Sequence, residues 1–237
     1  MKVLLDCDFG LGEAPETASA LLDFVDLANL ACCDRSNRSD DVLARVAREA
    51  LVRGRQTGAL VGCVGGATVS ARELTELMSE GIGHLRRLLK EAGGTVSHVK
   101  LHEALAYLCD QRTDLAEACV DWMESELEGV PLIVGAGGLL HAVAEARGVP
   151  LMREVFAARG YADEANILPR GDEGGRIDDP ARVVERISAW KTSGYLPVGA
   201  GKKWLVEAEA ICVPADSPES VELARRLREV LEEKAET

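Results

Sequence analysis

The sequence predicts an α/β fold, a distorted (β/α)7 barrel, and three observations carry that expectation. Short runs rich in Val, Ile and Leu alternate with longer stretches of helical period, the pattern of βα units that build a parallel sheet. Seven such runs occur, at 2–8, 26–32, 58–64, 96–101, 130–135, 151–156 and 209–213, and no repeat or linker divides residues 1–237, which read as one domain. The run Val96-Ser97-His98-Val99-Lys100-Leu101 ends in a helix start, His102-Glu103-Ala104-Leu105, and puts His98, Lys100 and His102 on one strand face. Two imidazoles and an ammonium fill a core poorly, because unpaired buried polar groups are costly. At the carboxyl end of a parallel strand the same side chains would line a pocket. An open doubly wound sheet is the alternative, since seven strands are one short of the ordinary barrel.

Each element has its own signal. The first run places Asp6 and Asp8 on one face and Cys7 on the other. Such a pair of acids can divide into acid and base roles, or one of them can pair with Lys100. The second run carries Asn29, a polar residue in an apolar strand, suited to orienting a loop or ligand. Ser39-Asp40-Asp41 opens the next helix, Ser70-Ala71-Arg72-Glu73 is a capping box, and Thr113 precedes Asp114-Leu115. Gly135-Ala136-Gly137-Gly138 reads as a tight strand-to-helix turn ahead of an anion cradle, because it lacks the P-loop Lys-Ser/Thr. The stretch 159–179, rich in Gly and acids, is the one long irregular connection, and such connections are usually functional. Asp178-Asp179-Pro180 and Asp216-Ser217-Pro218-Glu219 each set a cap beside a proline suited to a first helical turn. A last helix over about 218–234 is apolar at Val221, Leu223, Ala224, Leu227, Val230 and Leu231.

Composition narrows the partners. A formal charge of −13 argues against nucleic acid, whose phosphates select basic surfaces. No apolar run is long enough to span a membrane, and the first residues become acidic too early for a signal peptide. The seven cysteines match no common disulfide framework or zinc motif, so a cytoplasmic protein with reduced thiols is expected. Cys7, Cys32, Cys33 and Cys63 fall at the ends of the first three runs, which leaves a metal–thiolate site as a minor reading.

Four segments carry a resemblance, in matching order. Met1-Lys2-Val3-Leu4-Leu5-Asp6-Cys7-Asp8-Phe9-Gly10 is similar to an opening strand ending Asn-Cys-Asp-(Leu/Met)-Gly-Glu, and Ala28-Asn29-Leu30-Ala31-Cys32 to Ala-Asn-Ile-Ala-Cys. His98-Val99-Lys100-Leu101-His102-Glu103-Ala104-Leu105 is similar to His-Val-Lys-Pro-His-Gly-Ala-Leu. The last match joins Arg153-Glu154-Val155-Phe156-Ala157-Ala158-Arg159, Tyr161, Leu168-Pro169-Arg170 and Ile211-Cys212-Val213. By these the chain resembles a divergent member of the LamB/YcsF family, whose best understood members are the A component of 5-oxoprolinase. The resemblance implies a (β/α)7 barrel related to the polysaccharide deacetylases and ATP-dependent opening of the lactam 5-oxoproline to glutamate. It further implies partner subunits B and C, which use ATP to activate the lactam oxygen by phosphorylation before the barrel component completes ring opening.

The sequence departs from the family pattern at several polar positions. Histidine positions of the family read here as Arg35, Leu60 and Pro214, an acidic one as Arg38, and the opening Glu aligns with Leu11 beside Glu13. Leu60 supplies neither a metal ligand nor a base, and Arg35 binds anions without acting as a base. The catalytic set expected is Asp8, His102, Lys100 and Asp6, with His98 deeper and making a structural hydrogen bond. Asn29, Arg35, Glu154, Arg159, Tyr161, Arg170 and Asp216 are expected to bind substrate, Arg for its fork on a carboxylate or phosphate. An ion pair of Glu154 with Arg159 fastening the long connection has equal weight. No metal-ligating set is assigned, metal use stays open, and so does the oligomeric state. Two readings stand: a lactam hydrolase using ATP through its partners, and a silent or repurposed relative that binds a small anion or serves in assembly.

Overall fold

The computed structural model describes residues 2–32, 40–62 and 68–233. In chain order the first half comprises β1 (Leu4–Phe9), α1 (Pro15–Leu21), β2 (Leu27–Ala31), α2 (Asp40–Val52), β3 (Gln56–Val61), α3 (Ala71–Glu91), β4 (Val99–Leu101), α4 (Glu103–Gln111) and α5 (Thr113–Glu126). The second half comprises β5 (Leu132–Gly135), α6 (Leu139–Arg147), β6 (Leu151–Phe156), α7 (Pro180–Ser193), β7 (Tyr195–Val198), β8 (Lys202–Leu205), β9 (Ala210–Val213) and α8 (Glu219–Glu232).

Seven strands close into an all-parallel barrel in the order β1-β2-β3-β4-β5-β6-β9, with β9 returning to pair with β1. These are the seven runs the sequence predicts, and the closed barrel prevails over the open sheet. Alternation along each strand divides the side chains. Leu5, Cys7 and Phe9 of β1, Leu30 of β2, Val61 of β3, Val99 and Leu101 of β4, Val155 of β6 and Ile211 of β9 belong to the apolar core shared with the helices. The opposite faces, with Asp6, Asn29, Lys100 and Glu154, are turned into the barrel, where they meet each other. Register sets their heights: Asp8 lies beside Asn29, Leu60 beside Lys100, Lys100 beside Ile133, and Asp6 beside Cys212.

Helix starts follow the sequence in part. Ser70 and Glu73 form the reciprocal capping box, and Asp179 accepts from the Ala181 N–H with Pro180 in the first turn. Two caps differ from expectation. Thr113 is already helical behind an N-cap at Arg112, and α8 has Pro218 as its N-cap with no side-chain hydrogen bond, while Asp216 turns to arginines. The antiparallel ribbon of β7 and β8 was not expected: its strands are short and joined at Ala200 and Gly201, both with positive φ, and a proline sits inside the first. The connection 159–179 folds back through bridges of Arg159 with Arg176 and Tyr161 with Ile167, and borders the carboxyl-end mouth of the barrel. No helix among the described residues is long and apolar enough to cross a membrane.

Candidate active site

Lys100 is the hub of the barrel interior. Its Nζ lies 3.0 Å from Asp6 Oδ1, 3.0 Å from Asp8 Oδ1 and 2.5 Å from Glu154 Oε1, and donates to Cys212 Sγ at 3.3 Å. The ring of Phe156 covers the ammonium at 5.4 Å. Burial by itself favours a neutral amine, but nearby acids, Asp6 and Asp8 foremost, reverse this and hold Lys100 cationic. Burial likewise opposes ionisation of Asp8, and the charge of Lys100, the Asn29 amide and His102 outweigh it, so Asp8 is an anion. At Glu154 burial wins: desolvation, with Asp6 beside it, drives the carboxyl well above its ordinary range and outweighs Lys100. Burial also keeps Cys212 a thiol.

A second row holds this cluster in place. The Asn29 amide donates to Asp6 Oδ1 at 2.7 Å and to Asp8 Oδ1 at 2.8 Å. With both amide protons committed, Asn29 Oδ1 faces His98 Nε2 at 2.7 Å and can only accept, so Nε2 carries the imidazole proton. Burial, reinforced by Lys100, pushes the His98 pKa down to about 3, which keeps the ring neutral. His98 Nδ1 lies 2.9 Å from Ser97 Oγ. The imidazole fits only because residue 58 is glycine: a Cβ there would stand 2.1 Å from the ring.

Above this network lies a cavity of about 1030 Å³ at the carboxyl ends of the strands. Asp8, Lys100, Glu154, Phe156 and Cys212 reach its floor, while Asp6 and Asn29 sit below it without lining it. His102 follows β4 at the N-cap of α4 and borders the cavity; burial lowers its pKa, opposed by Asp8 and Glu103. Around the rim runs a chain of ion pairs. Glu103 Oε1 meets Arg159 at 3.4 Å and Arg170 at 2.5 Å, and Asp216 Oδ2 meets Arg170 at 3.7 Å and Arg176 at 3.3 Å. Arg159 also donates to the carbonyls of Gly175 and Leu168, so its guanidinium ties the long connection together. Tyr161 is buried against Trp204, and its hydroxyl accepts from the Phe156 N–H at 3.1 Å.

The residues expected from sequence thus separate into layers. Asp8, Lys100 and His102 come together at the cavity, and Asp6 supports them from beneath. Asn29, expected at substrate, is an orienting group; Glu154 pairs with Lys100 and not with Arg159; Arg170 and Asp216 lie on the rim. Arg35, Cys33 and Cys63 fall outside the described residues. Cys7 is buried among apolar neighbours on the helix side, away from Asp6 and Asp8. The glycine turn is a close-packing device: a Cβ on Gly138 would lie 2.4 Å from Asp110 Oδ1, and that carboxylate accepts from the Leu140 N–H at 3.0 Å. The helix N-terminus is therefore already occupied by a carboxyl of the protein's own. Cys212, Phe156, Glu103 and Asp110 were missed. Cys212 is legible afterwards from period two, since Ala210 and Cys212 share the inward face of β9. The others depend on contacts across the mouth.

Asp6, Glu154 and Cys212 bring donor atoms within 4.8 Å of one another, a spacing a divalent ion can use. Lys100 Nζ already stands among those atoms, so the interior carries its own cation and the cluster as it stands does not fit a metal.

Similarity to known proteins agrees with this architecture. The chain is 34% identical over 219 residues to the 5-oxoprolinase A component of Streptomyces avermitilis, covering 90% of this chain and 87% of that one. It is 34% identical over 241 residues to the 5-oxoprolinase A component of Nocardia farcinica, covering 98% and 96%. The crystal structure of a lactam utilization protein from Thermus thermophilus superposes with a TM-score of 0.85 at 28% identity, covering 98% and 96% of the two chains. The family model of LamB/YcsF matches residues 3–237, and the chain belongs to the LamB/YcsF family.

Proposed function

We propose that this barrel opens the five-membered lactam of 5-oxoproline to glutamate by adding water, acting with partner subunits that use ATP. The observation that carries the reading is the pairing of anionic Asp8 with cationic Lys100 on the floor of a cavity, in a chain 34% identical to a 5-oxoprolinase A component over 90% of its length. Lactam hydrolysis needs three things: a base for water, a positive charge beside the activated carbonyl oxygen, and a grip on the substrate carboxylate. Asp8 takes the proton of the attacking water. Lys100 faces the lactam oxygen and the negative charge that phosphoryl activation places on it, and its charge counts for more in a dry pocket than in water. Arg170 and Arg176 on the rim meet the substrate carboxylate, and His102 positions the water or the ring from the wall.

An amide is a weak electrophile, so phosphoryl activation by an ATP-using partner lowers the barrier this cluster faces. The test is glutamate formation from 5-oxoproline and ATP by the purified chain with competent B and C partners. Turnover with the wild type and its loss in Asp8→Asn are expected. Absence of glutamate under conditions where the Streptomyces avermitilis relative produces it would overturn the assignment.

A further inference from the structure

The barrel interior holds more acid than its one cation can neutralise. The Lys100 ammonium has three protons, and four acceptors surround it: Asp6 Oδ1, Asp8 Oδ1, Glu154 Oε1 and Cys212 Sγ. Asp6 Oδ1 accepts from both Lys100 and Asn29, and Asp8 Oδ1 accepts from Asn29. Glu154 Oε1, by contrast, is buried with no hydrogen-bond partner among the described residues, as is Asp6 Oδ2. Three carboxyls around one ammonium in a dry interior do not all stay ionised, and the one without donors is the one that keeps its hydrogen. Glu154 differs from Asp6 in one further respect: it borders the cavity and Asp6 does not. The floor therefore presents a carboxylic acid and a carboxylate, Glu154 and Asp8, on either side of one ammonium. Environments that push two carboxyls apart in this way divide them into acid and base.

We propose that Glu154 is the general acid of ring opening, delivering its proton to the lactam nitrogen as the C–N bond breaks. This rests on the reading given under Proposed function. With the lactam oxygen phosphorylated by a partner, water loses a proton to Asp8 and its oxygen bonds to the ring carbon, whose C=N π pair moves onto nitrogen. On collapse the new hydroxyl oxygen forms C=O, and the C–N bonding pair leaves on nitrogen, which takes the Glu154 proton. The hydroxyl proton returns to Glu154 through cavity water and the Asp8 proton passes to the freed amine, which restores both groups. A second water then releases phosphate from the acyl phosphate, so the net change is lactam, ATP and two waters to glutamate, ADP and phosphate. An amine cannot depart as its anion near neutral pH, so the nitrogen needs a donor. The charged and titratable groups facing Glu154 are Asp6 and Asp8 from β1, Lys100 from β4, Cys212 from β9 and Tyr161 from the connection after β6.

Glu154→Gln keeps the shape, but it has no acidic proton to give. The experiment compares 5-oxoproline with the thiolactone of the same ring and carboxylate, whose thiolate departs without protonation. Lactam opening by Glu154→Gln, with partners and ATP, is expected to fall by about 10²–10⁴-fold while thiolactone opening is nearly unchanged. Glu154→Asp, which keeps an acid, is expected to recover part of the lactam rate. Equal losses on both substrates, or lactam turnover near wild type in the Gln variant, would overturn the proposal. A wild type that opens neither substrate would sink the functional reading itself, a result distinct from either outcome in the variants.

Discussion

At Lys100 a charge that burial alone would discharge is kept foremost by Asp6 and Asp8, each 3.0 Å away, with Glu154 and the Cys212 thiol within 3.3 Å. Lys100→Met removes that cation and leaves Asp8 with burial as its leading influence, which raises a carboxyl's pKa. The folded variant then holds a proton that the unfolded chain releases above the ordinary carboxylate range, so its stability falls as pH rises. Breaking a buried ion cluster this way costs about 3–5 kcal/mol, and urea midpoints at pH 5 and pH 8 should show the larger loss at pH 8. His98 titrates with the opposite slope. Its folded pKa of about 3 lies below the ordinary 6.5, so the unfolded chain takes up a proton the folded protein refuses. That contribution is complete above about pH 6.5 and is lost as pH falls toward 3. His98→Gln should therefore be less acid-sensitive than the wild type between pH 6.5 and 4, read as the change in urea midpoint. Asp8→Asn should lower kcat/KM by about 10²–10⁴-fold and leave the folded state intact.

The elements that carry these side chains make their own demands. β3 passes so close to His98 that only glycine fits at 58, and the Gly58→Ala methyl would stand 2.1 Å from the imidazole. Overpacking of this kind typically costs about 1–3 kcal/mol; a fall in thermal midpoint, with activity reduced because Asn29 loses its partner, is the expected result. At α6 the first turn is completed by Asp110 from α4. Asp110→Ala should cost about 1 kcal/mol, as caps do, and should speed amide exchange at Leu140. Much at this scale was legible: the seven strands, the shared face of His98 and Lys100, and the capping box at Ser70 all follow from residue period and local hydrogen bonding. The β7–β8 ribbon was not, because a proline and a glycine-rich turn read as loop when no partner strand is in view.

At the scale of the whole molecule, Arg159, Glu103, Arg170, Asp216 and Arg176 link three separate segments around the mouth. Exposed pairs contribute at most about 1 kcal/mol each, so their importance lies in where they hold the connection 159–179. Glu103→Gln should leave the thermal midpoint nearly unchanged and accelerate proteolysis within 159–179; unchanged cleavage would show that the ion pairs do not restrain it. The sequence by itself determined the class of the fold and the face each polar residue takes, because alternation and helical period are properties of neighbours along the chain. It also marked Asp8, Lys100 and His102, whose strand positions are local facts. Only closure of the barrel decided what they touch. Lys100 meets Asp6 across 94 residues of chain, and Glu154, expected beside Arg159, turns inward to the same ammonium. Strand stagger and ring closure bring those groups within contact, and the dryness of the interior then separates an ionised Asp8 from a protonated Glu154. Neither effect is encoded in any local stretch of residues.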